Sequence, residues 1–256
     1  MEFGKQFEIT YVMGGLAREF ENDLSSLVIT WLDHAAESGM PLDPRVWHGD
    51  GVRSTYPACI ACRAAAEQGP AAAERYLRVL REGFMCHGRK LDNPEALVAE
   101  ARRAGLDASR FRIDLESNAM LEAFASDLEE SRKIPDAARE AGLAAEGSHG
   151  SRVERLAFPA LRFTPEDGAG EERWVGGDHP YEQWREAAIA AGAAPRAEPH
   201  PDVTTALRRF DSMATVELEA VCDLPGPRAG AEAWRLASEW RLRRVPVLGG
   251  ELWQLA

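Results

Sequence analysis

The feature that most constrains how this chain can fold is a long helical region that lies between two strand-like regions. From Pro57 to about Arg132, apolar residues recur almost everywhere at helical spacing. Before this region, the alternation of apolar and polar residues in FEITYVM (7–13) predicts a strand. After it, the patterns at 156–163 and 171–175, joined by a glycine-containing turn, predict a β-hairpin. The order of these segments predicts an α/β fold.

Capping residues mark the ends of several predicted helices. An apolar helical pattern that begins near residue 24 ends at Gly39, which is a typical C-cap residue. In NPEALVAEARRAG, Asn93 is expected to cap the helix, Pro94 to take its first position and Gly105 to end it. The next helix, NAMLEAFASDLEE, is expected to place on one face Leu121, Phe124 and Leu128.

A Pro-rich linker at 194–202 separates a C-terminal segment that has its own pattern. The pattern of residues 203–256 predicts three helices followed by two short strands around Gly249–Gly250. This is the order of elements in a winged helix. The last of these helices, GAEAWRLASEW, carries two Glu and one Arg, so DNA phosphates would repel it. A packing or dimerisation role is expected for this segment rather than DNA binding.

The charge of the chain excludes some classes of partner. Its 256 residues carry a formal net charge of −12, so nucleic acids and anionic membranes would repel most of its surface. No apolar run reaches membrane-spanning length, and the first residues lack the basic and apolar regions of a signal peptide. A cytoplasmic protein is therefore expected. Four cysteines in a chain of this length do not form a disulfide scaffold.

Several short motifs occur in an order that resembles one known family. They are ITYVMGGL (9–16), YPACIACRAAAEQG (56–69), GRKLDNPEALVAEARRAGLDASRF (88–111), FPALRF (158–163) and WVGGDHPYEQW (174–184). Together these motifs resemble the DsbA-family thioredoxin-like oxidoreductases, and among them the cytoplasmic FrnE-like branch. The resemblance extends over roughly residues 5–192.

The resemblance implies an α/β, thioredoxin-like fold with a large helical insertion, and the pattern of the last residues adds a C-terminal winged-helix-like module. The thioredoxin-like domain would comprise residues 1–22 and 136–193, the helical insertion residues 23–135, and the C-terminal module residues 200–256. The resemblance also implies thiol–disulfide exchange, with a protein or a small-molecule thiol or disulfide as the substrate and without a cofactor.

The same resemblance places the family's catalytic Cys-x-x-Cys before Met1, so weak or absent oxidoreductase activity is expected, and whether the chain is an enzyme stays open. Two alternatives follow. The chain could be a non-catalytic binding or assembly protein that keeps the thioredoxin scaffold and could form a homodimer. It could also be a glutathione-dependent isomerase of the same fold.

Cys59 and Cys62 form the one local Cys-x-x-Cys of the chain, at the start of a predicted helix. The positive end of the helix dipole is expected to lower the pKa of a cysteine at this position. Three interpretations stay open: burial of two small apolar side chains, an accessory redox pair, or a metal site. The metal site would be a Cys₃His zinc set with Cys86 and His87, but adjacent ligands disfavour it, and no metal is expected.

Phe158 and Pro159 precede the strand pattern ALRF. The resemblance implies that Pro159 is a cis-proline whose loop exposes backbone to an extended substrate. The alternative is a trans-proline that begins a strand.

Overall fold

The structure is a computed structural model that describes residues 2–20, 25–49, 51–147, 153–166, 171–177, 180–196 and 199–256. Its helices are α1 (Ser25–Ser38), a 3-10 helix (Pro44–Trp47), α2 (Tyr56–Ala66), α3 (Pro70–Met85), α4 (Pro94–Arg103), α5 (Ala108–Leu115), α6 (Asn118–Arg132), α7 (Asp136–Glu140), α8 (Tyr181–Ala190), α9 (Val203–Phe210), α10 (Thr215–Cys222) and α11 (Pro227–Ser238). Its strands are β1 (Ala144–Ala145), β2 (Arg155–Leu156), β3 (Ala160–Phe163), β4 (Arg173–Gly176), β5 (Ser212–Ala214), β6 (Leu242–Val247) and β7 (Gly250–Leu255).

The chain divides into two compact units. Unit 1 comprises Met1–Glu21, Arg53–Ala73 and Leu106–Ala197, and unit 2 comprises Asn22–Val52, Glu74–Gly105 and Glu198–Ala256. The three-domain division expected from the sequence groups the residues differently and stays a prediction. Within the described residues, no helix is both long and apolar enough to cross a membrane.

In unit 1, helix α2 packs against α5 and α6, and the short strands pair locally. Strand β1 pairs with β2, and β3 pairs with β4 in an antiparallel register from Ala160↔Gly176 to Phe163↔Arg173. A small core formed by Ala138, Leu143 and Leu156 underlies this region. The hairpin expected from the patterns at 156–163 and 171–175 is therefore present.

The strand expected at 7–13 is wrong, because residues 6–15 form neither helix nor strand. A strand needs a partner for its backbone hydrogen bonds. Among the described residues of unit 1, β1 and β2 pair only with each other, as do β3 and β4. The apolar residues of this alternating pattern also do not form a buried face, since Ile9 is 58% exposed.

Several helix ends are set by the expected capping residues. The Gly39 N–H donates to Ala35 O, and the backbone of Gly39 is left-handed, with φ of 68°. The Asn93 side chain accepts from the Ala96 N–H at 2.9 Å and caps α4, in which Pro94 is the first residue. Beyond the end of α4, Gly105 is left-handed as well.

The buried face of α6 differs from the expected one. Leu121 is 52% exposed, and the buried side chains are Met120, Phe124, Asp127 and Ser131. These positions follow the helical spacing i, i+4, i+7, i+11. A count of apolar residues misses this face because two of its members are polar.

In unit 2, helices α9, α10 and α11 enclose a core that includes Cys222 and the fully buried Trp253. The sheet has the order β5–β7–β6, with both pairs antiparallel. The three helices and the hairpin expected for the C-terminal segment are present. No pattern predicted β5, which has only three residues and is buried throughout. The winged-helix assignment stays a prediction.

Candidate functional site

The expected thiol pair lies at the start of α2. Thr55 is the N-cap residue, and Pro57 occupies the second position of the helix. The Thr55 hydroxyl oxygen accepts from the Ala17 N–H at 2.9 Å, which fixes the start of α2 against the N-terminal segment. Cys59 is half-buried, Cys62 is buried, and neither forms a disulfide.

The surroundings of Cys59 oppose thiolate formation. Burial raises the pKa of the Cys59 thiol to about 11, and the nearby Asp127 carboxylate adds to this rise. A hydrogen bond from the Gly15 backbone lowers the pKa, but the effect of burial is larger. The expectation of a lowered pKa is therefore wrong, because the loss of water around the thiol outweighs the helix N-terminus.

Gly14 and Gly15 pass unusually close to three other segments of unit 1. A Cβ added to Gly15 would lie 2.6 Å from Leu128 Cδ2 and 3.0 Å from Phe124 Cζ, and its φ is 60°. A Cβ on Gly14 would lie 1.9 Å from Phe158 Cζ. Only glycine fits this close approach.

A buried ion pair supports the glycine segment and α2. The Asp127 side chain is 4% exposed and accepts from Arg63 Nε at 2.6 Å and from Arg63 Nη2. It also accepts from the Met13 N–H at 3.1 Å. Sequence reasoning missed Asp127 and Arg63. The available signal was an acidic residue placed on the same helical face as Met120 and Phe124.

The Phe158–Pro159 peptide bond is cis, as the resemblance implied. Both residues are exposed, Phe158 by 39%. The guanidinium carbon of Arg155 lies 4.7 Å from the centroid of the Phe158 ring, within cation–π range. The role of Phe158 and Pro159 in substrate binding stays a prediction.

A small cleft lies beside the glycine segment, entirely within unit 1. It is lined by the start of α2, the end of α6 and the approach to β2. The lining residues are Gly14, Gly15, Leu16, Arg18, Tyr56, Ser131, Arg132, Val153 and Arg155.

The possible metal ligands among the described residues are the side chains of His, Cys, Asp and Glu. Among them, no three His, Cys, Asp or Glu side chains are grouped closely enough to hold a metal ion. Cys59 and Cys62 belong to unit 1 and Cys86 and His87 to unit 2, and the expectation of no metal stays a prediction. Burial raises the pKa of the Cys86 thiol to about 11, as it does for Cys59.

The family model described as Thioredoxin matches residues 1–134, just over half of the chain. The ClpXP adapter protein SpxH of Halalkalibacterium halodurans is 25% identical over 264 residues, covering 99% of this chain and 80% of that protein. The ClpXP adapter protein SpxH of Bacillus subtilis is 25% identical over 231 residues, covering 89% and 71%. A solved structure described as a proposed protein disulfide isomerase from Nitrosomonas europaea matches with a TM-score of 0.52 and 15% identity, covering 69% and 77%.

These matches confirm the expected thioredoxin-like fold and correct the expected function. Curated relatives that cover nearly the whole chain are named as ClpXP adapters and not as oxidoreductases. The prediction of a thiol–disulfide oxidoreductase is therefore wrong. The alternative of a non-catalytic binding or assembly protein on a thioredoxin scaffold agrees better with them.

Proposed function

This chain belongs to the thioredoxin family, and from that premise we propose that it is an adapter that brings a partner protein to a ClpXP protease. Relatives from Halalkalibacterium halodurans and Bacillus subtilis that carry the name ClpXP adapter support this proposal. The matched region in each relative exceeds two thirds of its length, so the proposal concerns the role of the protein as a whole.

The structural observation that carries the proposal is the burial of the one local thiol pair, in which Cys62 is buried and Cys59 half-buried. With a pKa of about 11, Cys59 holds almost no thiolate at neutral pH, and thiolate is the species that attacks a disulfide. The Gly14–Gly15 segment packs against the same region. The site therefore serves binding better than thiol chemistry.

Exposed apolar side chains next to the cleft support a protein-binding role. Leu16 is 44% exposed, Val153 51% and Phe158 39%. Apolar side chains grouped at a cleft and rimmed by polar residues are typical of interaction sites. The pair Phe158–Pro159 would lie at the edge of such a surface.

The finer sequence predictions belong to this proposal. Membership of the FrnE-like branch, a cytoplasmic location and formation of a homodimer all stay predictions. A protein partner is the expected class of ligand, and neither a thiol substrate nor a cofactor is needed for an adapter.

A binding experiment with purified ClpXP tests the proposal. The full chain should co-sediment with ClpXP in analytical ultracentrifugation. The Cys59→Ala/Cys62→Ala variant should bind equally well, because an adapter needs neither thiol. The proposal fails if no complex forms, or if the complex requires the two cysteines.

A further inference from the structure

Three arginines surround the cleft of unit 1 in a chain that is acidic overall. Arg18, Arg132 and Arg155 are three of its nine described lining residues, and none of the nine carries a carboxylate. The chain as a whole carries a formal net charge of −12. The cleft is thus a local positive site whose sign is opposite to that of the whole molecule.

These arginines are not neutralised within the part of the chain that the structure describes. Many arginines of the described residues form ion pairs, for example Arg63 with Asp127 and Arg139 with Glu154. Arg18, Arg132 and Arg155 form none with the described residues. Three like charges brought together without a counter-charge repel one another, so an anionic ligand would stabilise the arrangement.

Arg155 is the arginine that the fold holds most firmly. It is half-buried, and its Nη1 donates to Leu156 O at 2.8 Å while its guanidinium covers the Phe158 ring. Burial lowers the pKa of the Arg155 guanidinium, since no carboxylate offsets the loss of water. A guanidinium with a fixed plane and unused N–H groups suits a carboxylate, which it can bind through two hydrogen bonds.

Other lining groups suit a peptide rather than a free ion. Leu16 and Val153 expose apolar side chains beside the arginines. Tyr56 also lines the cleft, with its ring close to Gly15. A ligand that fills this cleft would need carboxylates close to apolar side chains, and both occur together in acidic peptide segments.

Resting on the proposed adapter function, we propose that this cleft recognises an acidic segment of the partner protein, with carboxylates on Arg132 and Arg155 and neighbouring apolar side chains on Leu16 and Val153. Charge complementarity selects the occupant. A nucleic acid fits less well, because the rest of the surface would repel a long phosphate backbone.

The test uses the full chain and two fluorescein-labelled dodecapeptides that differ only at two positions. One has the central sequence Leu-Glu-Phe-Glu-Leu and the other Leu-Gln-Phe-Gln-Leu. Fluorescence anisotropy should show that the Glu peptide binds about tenfold more tightly at low salt, since hydrogen bonds between charged groups are stronger. The preference should shrink as salt is added. In NMR spectra, the backbone amide signals of Gly14 and Gly15 should shift on titration.

Substitutions test whether the preference for the Glu peptide depends on the arginines of the cleft. Arg132→Gln and Arg155→Gln should each remove most of the preference for the Glu peptide, and Arg155→Lys should restore part of it. The matched control is Arg173→Gln on β4, whose side chain pairs with Glu171 outside the cleft and which changes the net charge equally. Equal binding of the two peptides, or an equal effect of Arg173→Gln, would overturn the inference. So would tighter binding of an oligothymidylate that competes with the Glu peptide.

The two proposals fail in different ways. A chain that binds ClpXP but shows no preference for the Glu peptide refutes the cleft inference alone. A chain that prefers the Glu peptide through Arg132 and Arg155 but does not bind ClpXP refutes the adapter role and leaves an acidic-peptide site.

Discussion

Arg63 and Asp127 form a bidentate ion pair that joins α2 to α6. Arg63 Nε donates to Asp127 Oδ2 at 2.6 Å, and Nη2 donates to Oδ1. The Asp127 carboxylate is almost fully buried and also accepts from the Met13 N–H, whereas Arg63 keeps 26% of its side chain exposed. One carboxylate thus holds two helices and the segment before Gly14 together.

Arg63→Ala should destabilise unit 1, because it leaves the Asp127 carboxylate buried without its counter-charge. We expect the free energy of unfolding to fall by about 3 kcal/mol. The double variant Arg63→Ala/Asp127→Ala should be less destabilised than the sum of the two single variants. Urea unfolding followed by circular dichroism measures all three. Strict additivity would show that the pair contributes no coupling.

Gly15→Ala should cost more stability than the same change at another left-handed glycine. Both Gly15 (φ 60°) and Gly142 (φ 72°) have positive φ, but a Cβ on Gly142 would meet nothing within 4 Å. We expect a loss of about 1 kcal/mol for Gly142→Ala, from the backbone alone. For Gly15→Ala we expect about 3 kcal/mol, since the added methyl group also collides with Leu128. Equal losses in thermal unfolding would contradict the packing described here.

Cys59 should react slowly with iodoacetamide in the folded protein at pH 7. With a pKa raised to about 11, its thiolate fraction is roughly a hundredfold lower than that of an ordinary cysteine. The rate should rise steadily as the pH increases towards 11. Peptide mapping by mass spectrometry follows this cysteine separately, and protein unfolded in urea is the control. Fast labelling of the folded protein at pH 7 would show that the thiol is activated.

Asp202→Ala should weaken unit 2 at neutral pH and much less in acid. The Asp202 carboxylate caps α9, accepting from the Thr204 hydroxyl and the Thr205 N–H, both at 2.7 Å. These two hydrogen bonds, the Thr204 one first, hold the pKa of Asp202 below its usual 3.8. The stabilisation is therefore complete above that value and is lost as the pH falls through the folded-state pKa.

At pH 7 we expect Asp202→Ala to lower the free energy of unfolding by about 1 kcal/mol. Urea unfolding at pH 7 and at pH 3 measures how this difference shrinks. Asp202→Asn, which can still cap the helix but does not titrate, should show no such pH dependence. A cost for Asp202→Ala that is equal at both pH values would rule out the charged cap.

The helices could be predicted from the sequence because their signals are local. The cap of α4 needs only Asn93 and the N–H of Ala96, three residues away. The strand expected at 7–13 failed because a strand depends on a partner, which alternation does not reveal. Strand β5 pairs with β7 across about forty residues of sequence, so three residues of pattern could not identify it.

Only part of the candidate site could be predicted, because several of its contacts join residues that are far apart in the sequence. Cys59 and Pro159 belong to short recognisable motifs, and the sequence identified both. Asp127 contacts Met13 and Arg63, which are 114 and 64 residues away in the chain. The pKa of Cys59 could not be predicted either, because the burial that raises it depends on distant segments that fold over α2.

The central position of β7 has a consequence for the order in which unit 2 can fold during synthesis. Leu252 on β7 packs in one cluster with Cys86 and Met40, and β7 carries the fully buried Trp253. At about 5–20 residues per second, a ribosome needs about 10–30 s to proceed from residue 86 to residue 252. Throughout that interval the early segments of unit 2 lack the strand that completes their core. A nascent chain of this protein is therefore exposed to chaperones and proteases for much longer in unit 2 than the length of its individual segments would suggest.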